Sequence, residues 1–389
     1  MCVACALTSR RQRRNAVGIL IMPTDYCNMN CLYCFNMRKT NSEKEIMSEE
    51  MLYKIMKSIV PYFDRIRFIW HGGEPLSAGI DFYKTAVQYQ NKFAEDVDIC
   101  NSLQSNMMLF TDDYINFFIK NNFKIGASYD LSANDVTRRN SQAAVDTIRK
   151  VNVQGLKTAV ISVVNNYNIQ HLIEDYEWCK NENLSYTLNV YQTNKENRRC
   201  NELAIDEKVY IEKICDFFDY WMEDDSCNIS IRYFNTFVDF IILNIRSLCC
   251  YNSCLGRHLA ILNDGRVFAC NRDFPDEYCF GNINDYNSDI RRAFDSEGFA
   301  RLLKATVERR DNCKTCEIFH FCGGGCVSNA ILDGDISLNM GYNCTVLIPI
   351  FKHIERNLKQ VIDLPNEQLK SDFNPKIVNA IMKRRGINE

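Results

Sequence analysis

In the run Tyr26-Cys27-Asn28-Met29-Asn30-Cys31-Leu32-Tyr33-Cys34, three cysteines are spaced C-x3-C-x2-C, just downstream of a short apolar segment, Val17-Gly18-Ile19-Leu20-Ile21-Met22. A loop at the end of a strand can wrap three thiolates around one face of an iron–sulfur cube. A 4Fe–4S cluster has four irons, so three ligands leave one iron open to a small molecule. The same logic separates a three-ligand catalytic zinc site from a four-ligand structural one. A zinc loop and three free thiols in a reducing cytoplasm are the competing readings, and the spacing alone leaves all of them open.

Around this loop, the composition narrows the class. The chain has 389 residues, 46% of them hydrophobic and 24% charged, enough to fill a large core. Lys+Arg of 46 against Asp+Glu of 49 gives a net charge of −3, so nothing electrostatic points to nucleic acid or to an anionic membrane surface. The basic run Arg10–Arg14 is followed by an apolar segment too short for a secretory h-region or a membrane span. Twenty cysteines in so long a chain do not read as a disulfide scaffold. A cytoplasmic protein that binds metal through thiolates is expected.

From Val17 onward, short apolar runs alternate with amphipathic helical patterns. The strand expectations are Val17–Met22, Arg67–Trp70, Asp98–Gln104, Lys124–Tyr129, Thr158–Val164 and Ser185–Val190. Ser48 is expected to cap a helix that buries Leu52, Ile55, Met56, Ile59 and Phe63, and Asn168 to cap another. Six strand–helix alternations imply parallel strands with right-handed crossovers, which an open doubly wound sheet or part of a barrel would satisfy. In both, chemistry belongs at the C-terminal ends of the strands, where Cys27, Cys31 and Cys34 sit. The second strand leads into Trp70-His71-Gly72-Gly73-Glu74-Pro75-Leu76, whose paired glycines let backbone approach a ligand and whose Glu74 offers a carboxylate to an amine.

A C-x3-C-x-φ-C loop with Tyr33 at φ, followed by Gly72-Gly73-Glu74-Pro75, resembles the radical S-adenosylmethionine (SAM) enzymes. The resemblance implies a partial (β/α)6 TIM-like barrel and a SAM-binding 4Fe–4S cluster on Cys27, Cys31 and Cys34. It also implies that Gly72, Gly73 and Glu74 receive the methionine amino group. Gln104-Ser105-Asn106 stands where related enzymes carry Q-T-N-G. Met107 replaces the glycine, so a different turn is expected there. Ser128-Tyr129-Asp130 is similar to the family's S-x-D ribose contact, and Arg138 falls where an arginine reaches the SAM carboxylate, with Arg139 beside it leaving the register open.

Beyond Val190 the strand pattern stops. Tyr191–Asn201 reads as a linker, and Asp206 as the cap of a helix that buries Tyr210, Ile214, Phe217, Phe218 and Trp221. Cys249, Cys250 and Cys254 then precede a hairpin, Leu259–Leu262 and Arg266–Ala269 joined through Asp264-Gly265, which ends at Cys270. Cys313, Cys316, Cys322, Cys326 and Cys344 follow, with Gly323-Gly324-Gly325 able to fold tightly and aim N–H groups at sulfur. A zinc ribbon is the rival reading. At least eight cysteines, with only His320 among them, suit two fully ligated clusters better.

This spacing resembles the SPASM domain of radical SAM peptide and protein maturases. Family ligation implies one auxiliary cluster on Cys249 or Cys250 with Cys254, Cys270 and Cys326, and another on Cys313, Cys316, Cys322 and Cys344. Three 4Fe–4S clusters and SAM are therefore the expected cofactors. The expected division is an arm over 1–16, a radical SAM core over 17–200, a helical linker region over 201–248, a small cysteine-rich α+β SPASM domain over 249–348 and a helical tail over 349–389. The other cysteines, Cys100, Cys179, Cys200, Cys215, Cys227 and Cys279 among them, are expected to behave as small apolar residues, and Cys2 and Cys5 as free thiols.

The resemblance implies reductive cleavage of SAM to a 5′-deoxyadenosyl radical, with flavodoxin or ferredoxin as the electron donor, and oxidation of a polypeptide. Anaerobic sulfatase maturases make formylglycine from Cys or Ser, and their pattern places an Asp base directly after the hairpin cysteine. Here Cys270-Asn271-Arg272-Asp273-Phe274 looks more like the maturases that cross-link ribosomally made peptides through thioether or carbon–carbon bonds. That reading is preferred, with Asp273 as a candidate substrate base. With 26 residues ahead of Cys27, leader recognition is expected from a separate protein or from the SPASM half. A non-catalytic iron–sulfur or zinc protein is the alternative from another class.

Overall fold

The computed structural model describes residues 16–34, 44–191, 202–251, 255–272, 275–332 and 342–387. Six strands, β1 (Val17–Ile21), β2 (Arg65–Trp70), β3 (Asp98–Ser105), β4 (Lys124–Ser128), β5 (Thr158–Val164) and β6 (Ser185–Val190), lie within two residues of the expected boundaries. All five neighbouring pairs are parallel. Their spatial order is sequential, β6-β5-β4-β3-β2-β1, with no point at which the winding reverses. A doubly wound sheet requires such a reversal. The core is therefore singly wound, an open partial barrel rather than a closed one, with every loop carrying a sequence motif at one edge.

The sheet does not end at β1. Strand β7 (His258–Ile261) pairs with β1 in parallel, and β8 (Arg266–Phe268) and β9 (Gly281–Asn282) continue antiparallel, giving nine strands. The cysteine-rich half is thus built directly onto the core's first strand. One hydrophobic cluster runs through both halves, from Ile19 and Phe68 to Leu259, Phe321 and Ile381.

Helix starts follow local chemistry. Ser48 accepts the Met51 N–H at 3.1 Å and opens the helix Glu49–Ile59, whose Leu52, Ile55, Met56 and Ile59 are fully buried. Asp206 accepts from Lys208 and Val209 at the head of Glu207–Met222, which buries the expected aromatic face. Asn168 departs from expectation: it caps no helix with its side chain. Its carboxamide turns back on the chain, accepting the Asn165 N–H at 2.8 Å and donating to the Val163 carbonyl at 3.2 Å, a local alternative open to Asn. Among the described residues no helix is long and apolar enough to cross a membrane. Cys179, Cys215 and Cys227 are buried, and Cys100 and Cys279 half-buried. Cys2, Cys5, Cys200, the Arg10–Arg14 run and nearly all of the 191–201 linker lie outside the described residues.

Candidate functional site

The loop of Cys27, Cys31 and Cys34 leaves β1 at the C-terminal edge of the sheet and is clamped by the segment that leaves β2. Gly73 N–H donates to Thr24 O at 2.9 Å and Glu74 N–H to Tyr26 O at 2.7 Å. A Cβ on Gly73 would stand 2.1 Å from the Tyr26 carbonyl oxygen, and one on Gly72 2.5 Å from that of Thr24. The close approach that these glycines permit is therefore to the cysteine loop itself. Pro75 is buried, its carbonyl accepts the Tyr83 hydroxyl at 2.8 Å, and it opens the 3-10 turn that Glu74 caps.

Glu74 is 1% exposed. One carboxylate oxygen accepts from Leu76 N–H and Ser105 Oγ, at 3.1 and 2.9 Å, and the other from Asn106 N–H at 2.8 Å. Burial pushes its carboxyl up to about 7, against the lowering effect of those donors and of Arg138. Asn106 Nδ2 in turn lies 3.7 Å from Cys27 Sγ and 2.7 Å from Asn28 Oδ1, so the end of β3 touches the cysteine loop. After it, Met107, which stands in place of the family glycine, takes a left-handed φ of 69°. Its fully buried side chain contributes the packing that offsets a strain of about 1–2 kcal/mol.

The other side of the loop is fixed through Tyr33. Its hydroxyl donates to Asp130 Oδ2 at 2.6 Å and accepts from Arg138 Nη1 at 2.7 Å. Asp130 is fully buried and also accepts from Thr137 Oγ1 at 2.7 Å and from Val163 N–H at 2.9 Å. Its oxygens thus tie the cysteine loop to β5. Ser128 Oγ accepts from Gln104 Nε2 at 3.1 Å. Gln104 also bonds His71, whose imidazole burial drives down to about 4 and so keeps neutral. Of the adjacent arginines, Arg138 turns inward and Arg139 is exposed. Burial disfavours the Arg138 charge, but Tyr33, Cys31 and Asp130 outweigh it.

In the second half, the thiols fall into two groups. Cys270 is within electrostatic reach of Cys326 and Cys249. Cys322 is within reach of Cys344, Cys313 and Cys316. Both members of the adjacent pair, Cys249 and Cys250, are within electrostatic reach of Cys326, and Cys249 also of Cys270. Burial raises the thiols of Cys249, Cys250, Cys270 and Cys313, and that of Cys322 to about 11. Backbone N–H groups of Arg272 and Gly324 aim at Cys270 and Cys322 and work against that rise. Gly323, Gly324 and Gly325 all have positive φ (62°, 97° and 72°), the conformation that lets the turn present them. Cys254 and Asp273 lie outside the described residues.

These donors fit iron–sulfur clusters. Buried thiols with raised pKa values are deprotonated by a soft metal centre. Thiolate sulfur is the ligand that iron–sulfur clusters take, and each group offers it from several cysteines. Asn28, Thr137 and Arg272, the last of which donates to Asn329 Oδ1 at 2.8 Å, were not legible as site residues. Their partners lie more than fifty residues away or, for Thr137, in a motif whose orientation the sequence does not give.

Comparison with known proteins agrees with this geometry. Residues 21–179 match the radical SAM superfamily, and residues 249–317 an iron–sulfur cluster-binding domain, SPASM. A cysteine-type anaerobic sulfatase-maturating enzyme of Clostridium perfringens is 26% identical over 357 residues, 87% of this chain and 96% of that protein. A serine-type enzyme of Bacteroides thetaiotaomicron is 27% identical, over 84% of this chain and 86% of that one. Among solved structures, native anSMEcpe with bound AdoMet and Cp18Cys peptide superposes with a TM-score of 0.80 at 24% identity, covering 89% of this chain and 99% of that one. Streptococcus suis SuiB bound to precursor peptide SuiA gives 0.61 at 14% identity, covering 84% and 76%.

Proposed function

This chain is a radical SAM protein with a C-terminal SPASM domain, and from that premise we propose that it oxidises side chains of a ribosomally made peptide to close a thioether or carbon–carbon cross-link. The observation that carries the finer reading is Asn271. In the sulfatase-maturase pattern an aspartate follows the hairpin cysteine and serves as the base. Here the position holds a carboxamide whose Oδ1 accepts from Cys270 Sγ at 3.3 Å. A carboxamide offers no basic site at neutral pH, so it cannot take the thiol or hydroxyl proton of a residue on its way to formylglycine. The full-length similarity to sulfatase maturases favours a second reading, formylglycine formation with the base supplied from elsewhere.

SAM and three 4Fe–4S clusters are the cofactors. Cys27, Cys31 and Cys34 hold the first cluster; Cys249, Cys254, Cys270 and Cys326 the second; Cys313, Cys316, Cys322 and Cys344 the third. When bound, these groups supply a hydrogen-abstracting carbon radical and acceptors for the electron left on the substrate. The chain's own residues bind and orient. The buried Glu74 carboxylate receives the methionine amino group, Arg138 its carboxylate, and Gln104 and Ser128 lie toward the ribose. Tyr33, Asp130 and Asn106 keep the cysteine loop in register with that pocket. The neutral, buried His71 leaves no competing charge beside it. A flavodoxin or ferredoxin is the proposed electron donor, with leader recognition by a separate protein or by the SPASM half.

The test is co-expression with a short Cys- or aromatic-rich peptide encoded beside this gene, followed by mass spectrometry. Loss of two hydrogens localised to one cross-link is expected. Formylglycine in a sulfatase-derived peptide, with the neighbouring peptide untouched, would overturn the reading.

A further inference from the structure

One buried cation reaches both auxiliary sites. Arg309 sits one turn before Cys313 in the helix Glu297–Cys313 and is 8% exposed. Its Nε donates to the Gly324 carbonyl at 2.6 Å, inside the glycine turn between Cys322 and Cys326. Its Nη2 lies 3.8 Å from where a Cβ on Gly325 would stand. The same guanidinium acts on the Cys313 thiol, favouring the thiolate against the opposing effect of burial. On its other side it lines the cleft that contains Cys249, Cys250 and Cys326.

Cys313 is the last residue of its helix, where the partial negative charge of the helix end disfavours further negative charge. A cluster held by four thiolates is already anionic, and one-electron reduction adds to that. Arg309 opposes both effects with its guanidinium charge. The potentials of such clusters follow net charge, hydrogen bonding to sulfur and exposure. At this site the first two pass through one side chain, because Arg309 also holds the turn whose Gly324 N–H points at Cys322.

We propose that Arg309 is a positioning and charge-setting residue that raises the reduction potential of the cluster on Cys313, Cys316, Cys322 and Cys344. This rests on the reading that those four cysteines hold a cluster. The experiment uses full-length wild type, Arg309→Met and Arg309→Lys, each reconstituted anaerobically. Iron is counted, and the clusters are titrated potentiometrically by electron paramagnetic resonance, with SAM added to mark its own cluster. All three proteins should carry about twelve irons. In Arg309→Met, one auxiliary cluster should become at least tenfold harder to reduce, about 59 mV for one electron, while Arg309→Lys stays within about threefold of wild type. Unchanged midpoints in Arg309→Met overturn the proposal. So does a Lys variant that shifts as far as the Met variant, or a loss of four irons from both, which would make Arg309 a brace alone. A wild-type chain that itself takes up only about four irons sinks the underlying cluster assignment, and the wild-type count alone tells the two failures apart.

Discussion

Glu74 shows how much one side chain is asked to do. It is buried, accepts three hydrogen bonds and caps its own turn, yet burial raises its carboxyl to about 7. Asp175, buried against Ser132 on both oxygens, is also raised to about 7 by burial. For both groups the folded-state value exceeds the unfolded one of about 4, so their contribution to stability is whole below pH 4 and is lost as pH climbs through about 7. Each can cost on the order of 3 kcal/mol across that window. Before cluster insertion, the chain is therefore expected to unfold at lower urea concentration at pH 8 than at pH 5, with Glu74→Gln removing part of the slope. A midpoint that does not move with pH would show the burial argument to be wrong. Gly73→Ala acts on geometry: its Cβ would meet the Tyr26 carbonyl oxygen at 2.1 Å, and that contact is backbone on both sides. The loop must shift, and the iron content is expected to fall from about twelve to about eight per chain by colorimetric assay, the two auxiliary clusters surviving.

At the scale of elements, the C-terminal helices are structural supports for the aromatic layer. The helix Tyr342–Val361 packs along Glu207–Met222, and Pro375–Arg384 along Arg232–Leu243. Asn374 ties the last of these in place. It is fully buried, accepts Lys376 N–H at 2.9 Å as a cap and donates to the Trp221 carbonyl at 2.9 Å. Asn374→Ala removes the cap and the tie to the Trp221 carbonyl, a loss of about 1–2 kcal/mol. Chemical denaturation should show it as a lower midpoint with unchanged iron content. A variant as stable as wild type would mean the tail contributes nothing through this contact.

On the scale of the molecule, the continuous sheet matters most. Because β7 pairs with β1, the strand that launches the SAM-cluster loop also carries the hairpin that ends at Cys270. The radical SAM and SPASM halves thus share one continuous sheet. Replacing Cys27, Cys31 and Cys34 together by alanine is expected to remove about four of twelve irons and to abolish 5′-deoxyadenosine formation under dithionite. The auxiliary clusters should remain, because none of their ligands lies in that loop. Loss of all iron would show that the halves fold interdependently, and zinc in place of iron would return the protein to the non-catalytic class.

Much of this was legible in one dimension. Strand alternation, the C-x3-C-x2-C loop, Gly72-Gly73-Glu74 and the eight-cysteine array are local patterns: period, spacing and residue type carry their meaning without knowledge of what they touch. They determined the strand set, the edge that holds the site and the class of cofactor. Contact partners are a different kind of information. That the glycines press on the cysteine loop, that Asp130 turns inward to Tyr33 and Thr137, that Arg138 and not Arg139 faces the site, and that Met107 holds a glycine's φ all depend on orientation. Sequence separation says nothing of orientation when partners lie roughly fifty to a hundred residues apart, because the sheet's winding brings them together. Open partial barrel against doubly wound sheet was decided in the same way, by strand order. The three-cysteine loop was evident from the sequence, but only the tertiary structure shows which strand ends hold it in place.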